Sequence, residues 1–543
     1  MKPSYDIEQF KRVFEKEYTY LNGFMRNVMR KGDRPALHCP LSERTWTYRT
    51  LNEDANRLAN ALRKHGYGYG DVMLYILPNS PEFLFCYLAS HKTGMVGAPG
   101  NYRLSGGEIS LLINDLRPKV LVYDAEYAKI VGDALRLAAY QPELVIVCGE
   151  GDRAEAPLDQ TSYLEFVEGM SCANPELSRV PSIYDETTRF FTSGTTNLPK
   201  GVPCNSLNEV LSAHDVMMHF PLTATDVTMN LTPWFHRGGL HSGGPCPVLY
   251  AGASMVALRD FSPRLALQYI AKYRITFIIG APTIAEVISR LSESGHADFS
   301  SLRGMVLMGS PLDNEPCRRY MKGITPRIFN GYGTTETFWN TFLRPYDLPE
   351  QAGSAGGPCT DDDVRVIRIE TAGHASPKAM VPQDSETVGE VVILSPAKST
   401  ATYANNEEMT RAKFHDGWLY TGDLATWDEH GYITIVGRKD DMIVSAGENI
   451  YPVQIEAILN ENPKVAESLV LGIPDPKRGA VVVAAIKPAD PSLTEKELKQ
   501  WCLNHPMLAP YKRPRKYRFV DELPHSGTGK LLHRMPEGVS FDD

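Results

Sequence analysis

An α/β architecture is predicted for this chain by three features: its length of 543 residues, an alternation of strand-like and helix-like runs over 274–336, and a change of character near Gly437. The length exceeds what one hydrophobic core usually organises, so two or more domains are expected. Apolar content of 43% and charged content of 22% are those of a folded globular protein rather than a disordered one. The expected arrangement is a large N-terminal domain of several subdomains built on parallel α/β sheets, followed by a small α+β C-terminal domain.

The alternation is most legible over 274–336. "RITFIIGAPT" reads as a strand, "IAEVISRLSES" as a helix, "GMVLMGS" as a strand, "DNEPCRRYMKG" as a helix and "RIFNGYGTTE" as a strand. That succession predicts a parallel sheet covered by helices. Ligands of such sheets collect beyond the carboxyl ends of the strands, so Pro282 and Thr283, Gly309 and Ser310, and Tyr332 to Glu336 are expected to share a cleft. Earlier, "TTRFFTS" reads as a strand and "SLNEVLSAHDVMMHF" as a helix, with a Gly/Thr loop between them. Small and hydroxyl residues there let backbone N–H groups turn toward one centre, which suits an anion. A simple turn has the same composition. The N-terminal third offers "RTWTYRTLNEDANRLANALRKHGYGYGD", a strand and an amphipathic helix read as framework.

After the strand-like "GYITIVG", the run "GRKDDMIVSAGENIYPVQIEAIL" places four charges, a Gly-containing turn and then a helix. "SLVLGIPD", "AVVVAAIKP", "TEKELKQWCLNH" and "PRKYRFVDEL" continue as strand, strand, helix and strand. A tail of about a hundred residues suits a separate domain. The expected boundaries are 1–436, a junction at 437–441, and 442–543, with Lys530 presented by the Gly-rich turn "HSGTGKLLHR".

A net charge of −9 without a basic run argues against a nucleic-acid binder. The charged N-terminus lacks the apolar core of a signal peptide, and no stretch reaches the roughly 18 apolar residues of a membrane span, so a cytoplasmic location is expected. Nine cysteines without a C-x-x-C pair fit reduced thiols rather than disulfides or zinc.

The loop after "RFFTS" is not the fingerprint G-x-x-x-x-G-K-[ST], because Lys200 is followed by Gly201 and Val202, which argues against a kinase or motor ATPase. Its company is more specific. "FFTSGTTNLPKGV", "TPWFHRGG", "NGYGTTET", "YTGDLA", "GRKDDMIVSAGENIYPVQIE" and "SGTGK" occur in that order. Together they resemble the acyl-adenylate-forming superfamily of acyl- and aryl-CoA synthetases, adenylation domains and luciferases, from about Asp33 to Arg534.

The resemblance implies a two-step reaction. A carboxylate attacks the α-phosphate of ATP to give acyl-AMP and pyrophosphate, and the thiol of coenzyme A then displaces AMP. By similarity Thr192, Ser193, Gly194, Thr195, Thr196 and Lys200 wrap the β- and γ-phosphates, with Asn197 where glycine is usual. Glu336 stands for the Mg2+ carboxylate, Thr335 for a contact to the α-phosphate and Tyr332 for the residue against adenine. Ser310, Pro311, Asn330, Gly333 and Thr334 complete the nucleotide contacts, and Asp423 with Arg438 meets the ribose hydroxyls. Lys530 matches the lysine that bridges substrate carboxylate and α-phosphate. Ala446, where glycine is common, Gly447 and Glu448 match the stretch lining the pantetheine tunnel.

The resemblance makes the C-terminal domain mobile, pivoting at Asp440. His236 matches a position that gates or orients the acyl substrate, and a hydrogen-bonded structural histidine fits equally; His241 is read as a core residue. Trp234, Phe235, Gly280, Pro282, Met308 and Gly309 suggest a mainly apolar pocket, hence an aromatic, alicyclic or medium-chain acid. The expected partners are a small carboxylic acid, ATP and CoA, with neither nucleic acid nor a membrane span and with a homodimer left open. The rivals are an enzyme loading a carrier protein and a catalytically silent nucleotide-binding protein; the latter would be expected to have lost Lys530, Glu336 or Asp423.

Overall fold

The computed structural model describes residues 4–149, 160–177, 179–192, 200–292, 297–370, 373–445, 448–475, 478–505, 508, 510–525 and 531–541. Two compact units emerge, one of residues 1–363 with 393–419 and one of 364–392 with 420–543.

The first unit holds two large sheets. The alternation over 274–336 is present as strands Phe277–Gly280, Gly304–Met308 and Ile328–Thr334 with helices Pro282–Ser292 and Asn314–Gly323 between them. The three strands pair in parallel, with Gly280 opposite Leu307 and Met308 opposite Gly331. Val227–Asn230, Ser254–Val256 and Pro35–Cys39 extend this sheet in parallel, and antiparallel strands close its edges, making nine. The second sheet has seven strands, ordered Thr161–Ser162, Leu144–Cys148, Val120–Asp124, Val72–Ile76, Val96–Pro99, Glu186–Thr192 and Lys200–Asn205. Helix Pro81–Thr93 is buried on every side, as its apolar "FLFCYLAS" dictates. Tyr48–Lys64 is the amphipathic helix expected, started by a Thr47/Thr50 capping box.

One expectation needs correction. The loop after Thr192 does not join a strand to a helix. It joins two antiparallel strands, Glu186–Thr192 and Lys200–Asn205, with Thr192 opposite Lys200. Helix Ser206–His219 begins only afterwards, capped by Asn205. Gly201 and Pro203 are poor strand formers, yet the strand lies at the sheet edge, where proline is tolerated. The loop is therefore a hairpin connection rather than a helix N-terminus.

In the second unit, strands Asp363–Ile367, Gly389–Leu394, Trp418–Trp427 and Ile433–Arg438 lie side by side. Beyond them come a short hairpin, Ile443–Ser445 with Glu448–Ile450, and a three-stranded sheet, Val465–Asp475, Gly479–Pro488 and Lys516–Phe519. Helices Pro452–Asn460 and Glu495–Asn504 complete this α+β part, whose core includes Ile455, Leu459, Val470 and Leu498.

Candidate active site

The turn after strand Ile328–Thr334 reverses directly into Phe338–Leu343, with Thr334 opposite Phe338. A Cβ on Gly333 would lie 1.6 Å from the Phe338 carbonyl oxygen, so only glycine permits this approach. Phe338 itself is held at φ 61°, a backbone that bulky residues adopt only under constraint. Thr337 donates its N–H to Thr334 Oγ1 (3.3 Å) and its hydroxyl to Asn340 (2.6 Å), bracing the turn. Thr335 and Glu336 stand at its tip, half-buried. The Tyr403 hydroxyl donates to Glu336 Oε1 at 2.5 Å, and the Lys200 ammonium lies 5.7 Å from the Tyr403 ring centroid. Lys200, Tyr403 and Glu336 thus form one contiguous row. A half-buried carboxylate with one oxygen held by a hydroxyl is a hard donor of the kind Mg2+ takes, so the residue fits the ion.

The residues beyond neighbouring parallel strands are adjacent. Met308 Sδ lies so close to Gly238 that a Cβ there would sit 3.1 Å from it, and Gly309 turns away at φ 90°. Trp234 is 1% exposed, its backbone N–H held by Asn79 at 2.8 Å and its ring edge-on to Phe83. Phe235 meets Tyr102 edge-on at 5.1 Å and lies 4.2 Å from the His236 ring. Burial and then the Arg103 charge push His236 down to about 4, so it is a neutral imidazole at pH 7. Its Nε2 is buried and has no hydrogen-bond partner among the described residues.

Behind this surface lies a buried polar chain that the sequence does not disclose. Arg237, 3% exposed, donates from Nη1 to the Thr335 carbonyl (2.8 Å), from Nη2 to the Lys398 carbonyl (2.5 Å) and from Nε to His241 Nδ1 (3.3 Å). Its guanidinium lies between the Phe190 and Phe338 rings, about 6 Å from each centroid. Because Nδ1 accepts, His241 carries its proton on Nε2 and donates to Glu209 at 2.9 Å. Tyr87 and Thr188 also donate to that carboxylate. Burial pushes Glu209 up, but the His241 partner and Thr188 outweigh it and hold the carboxyl well below its usual range. His241 is a core residue, as expected, its own pKa lowered first by burial.

The same order recurs nearby. Arg344 donates to His219 Nδ1, whose Nε2 faces Asp215 at 3.2 Å, and the Lys398 ammonium contacts Asp215 (3.1 Å) and Asp362 (2.7 Å). Cys204, Glu209 and His241, and likewise Asp215, His219 and Cys359, lie close enough to share a metal ion. In both sets a protein cation already occupies the carboxylate or imidazole, which makes them salt-bridged core clusters. All nine cysteines are free, and only Cys172 is exposed.

The second unit pairs the two expected ribose contacts. Asp423 and Arg438 are cross-strand partners, and Arg438 Nη1 donates to Asp423 Oδ1 at 2.5 Å. Asp440 follows, exposed in a turn closed by the Asp441 N–H to the Arg438 carbonyl. A cavity of about 230 Å³ lined by Asp440, Asp441, Met442, Ile443, Gly472 and His533 lies beside it. His533 sits between Glu456 (2.9 Å) and Asp441 (3.5 Å).

Asn330 is buried, Tyr332 half-buried, and Ser310 and Pro311 are exposed just past their strand. Glu448 opens its short strand opposite Ser445. Ser193, Gly194, Thr195, Thr196, Asn197, Ala446, Gly447 and Lys530 lie outside the described residues. Arg237, Glu209 and Tyr403 were missed by sequence reasoning; the one available signal was the arginine directly after "PWFH".

Residues 24–403 match the AMP-binding enzyme family and residues 454–530 the AMP-binding enzyme C-terminal domain. The chain is 33% identical over 491 residues to a feruloyl-CoA synthase of Amycolatopsis sp, covering 90% of this chain and 92% of that one. It is 33% identical over 494 residues to an indoleacetate–CoA ligase of Aromatoleum aromaticum, with the same coverage. Its fold is similar to the crystal structure of the anthranilate CoA ligase AuaEII in complex with anthranoyl-AMP, with a TM-score of 0.82, 26% identity and 95% of each chain covered. The chain belongs to the AMP-binding enzyme family, as an AMP-forming acid:CoA ligase of the acyl-adenylate-forming superfamily that uses ATP, Mg2+ and CoA.

Proposed function

We propose that this ligase activates an apolar aromatic carboxylic acid in the cytoplasm. The observation that carries the reading is the aromatic cluster in which the neutral His236 ring lies 4.2 Å from Phe235, itself edge-on to Tyr102, with Met308 against Gly238 two residues on. The feruloyl- and indoleacetate-activating relatives and the anthranilate ligase support the same class. In the first step a carboxylate oxygen bonds to the α-phosphorus of ATP and the bond to the pyrophosphate oxygen breaks. In the second, the CoA sulfur attacks the acyl carbon, AMP leaves with the electron pair, and the thiol proton goes to solvent.

The row Lys200, Tyr403, Glu336 supports phosphate and metal binding, since Tyr403 orients the carboxylate before any ligand arrives. Bound magnesium supplies neutralisation of the phosphate charge. Asp423 and Arg438 take the ribose, and Lys530 balances the charge that builds between carboxylate and α-phosphate. With a pKa near 4, His236 is too weak a base for a thiol, so it orients the acyl group. Asp440 serves as the pivot between 1–436 and 442–543. The test is pyrophosphate release over a panel of aromatic, alicyclic, medium-chain and short acids, with and without CoA. Acetate turning over faster than every aromatic acid would overturn the proposed substrate class.

A further inference from the structure

We infer that Arg237 is a positioning residue for adenylation: its buried guanidinium fixes the Thr335–Glu336 turn and thereby sets where the Glu336 carboxylate meets the metal-bound nucleotide. The inference rests on the proposed role of Glu336. Three other segments converge on this one side chain. It holds the carbonyl of Thr335, next to Glu336, and the carbonyl of Lys398, five residues before Tyr403. Tyr403 in turn hydrogen-bonds Glu336, so both partners of that contact hang from the same guanidinium. The rings on either side are Phe190, in the strand that leads into the phosphate loop, and Phe338, the strained residue that ends the turn. Through His241 the arginine reaches Glu209, which the Thr188 hydroxyl ties to the phosphate-loop strand. Arg237 also follows His236 directly, so the acyl-side residue and the adenylate turn share one rigid anchor.

Only a planar fork can serve both carbonyls and the imidazole at once; a lysine offers the charge from a single point. The guanidinium serves His241 Nδ1 as well as the two carbonyls, and removing it would leave these buried acceptors without their donor. This is why the conservative replacement is the informative one.

The experiment measures pyrophosphate release by the full-length enzyme against Mg2+ concentration and, separately, against the acid, in wild type, Arg237→Lys, Glu336→Gln and the double variant. Arg237→Lys is expected to raise the Mg2+ concentration for half-maximal rate about tenfold, as loss of an outer-shell support does, and to leave the KM for the acid within about twofold. In the Glu336→Gln background the same substitution is expected to have no further effect on the Mg2+ titration. Should Arg237→Lys fail to fold by circular dichroism, Phe338→Leu loosens one face of the guanidinium and is expected to shift the titration in the same direction by less. An unchanged Mg2+ titration in a folded variant, or shifts that multiply in the double variant, would overturn the inference. Wild-type pyrophosphate release that ignores Glu336→Gln would instead overturn the role of Glu336 on which it rests.

Discussion

Replacing Lys398 with methionine tests whether the buried cluster beneath the site is held by charge. Lys398 is 1% exposed, and its ammonium lies 3.1 Å from Asp215 and 2.7 Å from Asp362, with the Trp339 carbonyl at 2.5 Å. At an effective dielectric of about 20, each carboxylate contact is worth roughly 5–6 kcal/mol before the cost of desolvating the ions. Breaking a buried pair by removing one partner costs about 3–5 kcal/mol net. For a unit of roughly 390 residues the unfolding entropy is about 0.8 kcal/mol/K, so the expected Tm loss is about 4–6 °C.

The pH dependence gives a second handle on the same variant. Burial raises Asp362, whereas for Asp215 burial pushes up and Lys398 together with His219 outweighs it, so that carboxyl is lowered. Without the cation Asp362 is raised further and Asp215 loses its principal opposing charge, and a group raised in the folded state costs stability above that raised pKa and none below the unfolded one. The Tm deficit is therefore largest at pH 8 and shrinks toward pH 5. Differential scanning calorimetry of wild type and Lys398→Met at pH 5, 6.5 and 8 reads both numbers. A deficit below about 1 °C, or one that is flat with pH, would refute the argument.

Lys530→Ala should slow acyl-AMP formation by on the order of 10²–10³ while leaving CoA transfer from supplied acyl-AMP nearly intact, which separate half-reaction assays decide. Asp440→Pro fixes φ near −65° and should leave pyrophosphate release intact but slow transfer to CoA; equal loss of both half-reactions in a folded protein would remove Asp440 as the pivot. His236→Gln should change the KM for the acid while the pH–rate profile between pH 6 and 9 keeps its shape, because a group titrating near 4 is already neutral throughout that range. His91 is likewise pushed down to about 4 by burial, so both histidines bind protons better when unfolded and withdraw stability as pH falls below 6.5. A thermal stability that rises from pH 6.5 to 4.5 would contradict that sign.

The parallel strands over 274–336 were legible because each is a short apolar run ended by Gly, Pro or Ser, with a helical pattern between. The pairing of Asp423 with Arg438 follows from two motifs that the hairpin register brings face to face. Strand Lys200–Asn205 was not legible, since an edge position forgives the glycine and proline that argue against it in sequence. Arg237, Glu209 and the link that His241 makes between them escaped for a different reason. Their partners are brought together by packing, with 98 positions separating Arg237 from Thr335 and 32 separating His241 from Glu209, and no local periodicity encodes such a meeting. Tyr403, 67 positions from Glu336, is hidden in the same way.

The ladder that joins Asp423 to Arg438 also acts as a mechanical stop. Two strands locked in register cannot pass a torsional change along themselves without breaking bonds, and the Lys439 N–H adds one more tie to the Gly422 carbonyl at 2.7 Å. Residues up to 439 are therefore tied across the hairpin, whereas the exposed Asp440 is spanned only by the local turn bond from the Asp441 N–H to the Arg438 carbonyl among the described backbone bonds. With the pivot proposed at Asp440, a rotation there leaves the cross-strand pair of Asp423 and Arg438 intact. The residues proposed to hold and to move stand two positions apart, at Arg438 and Asp440.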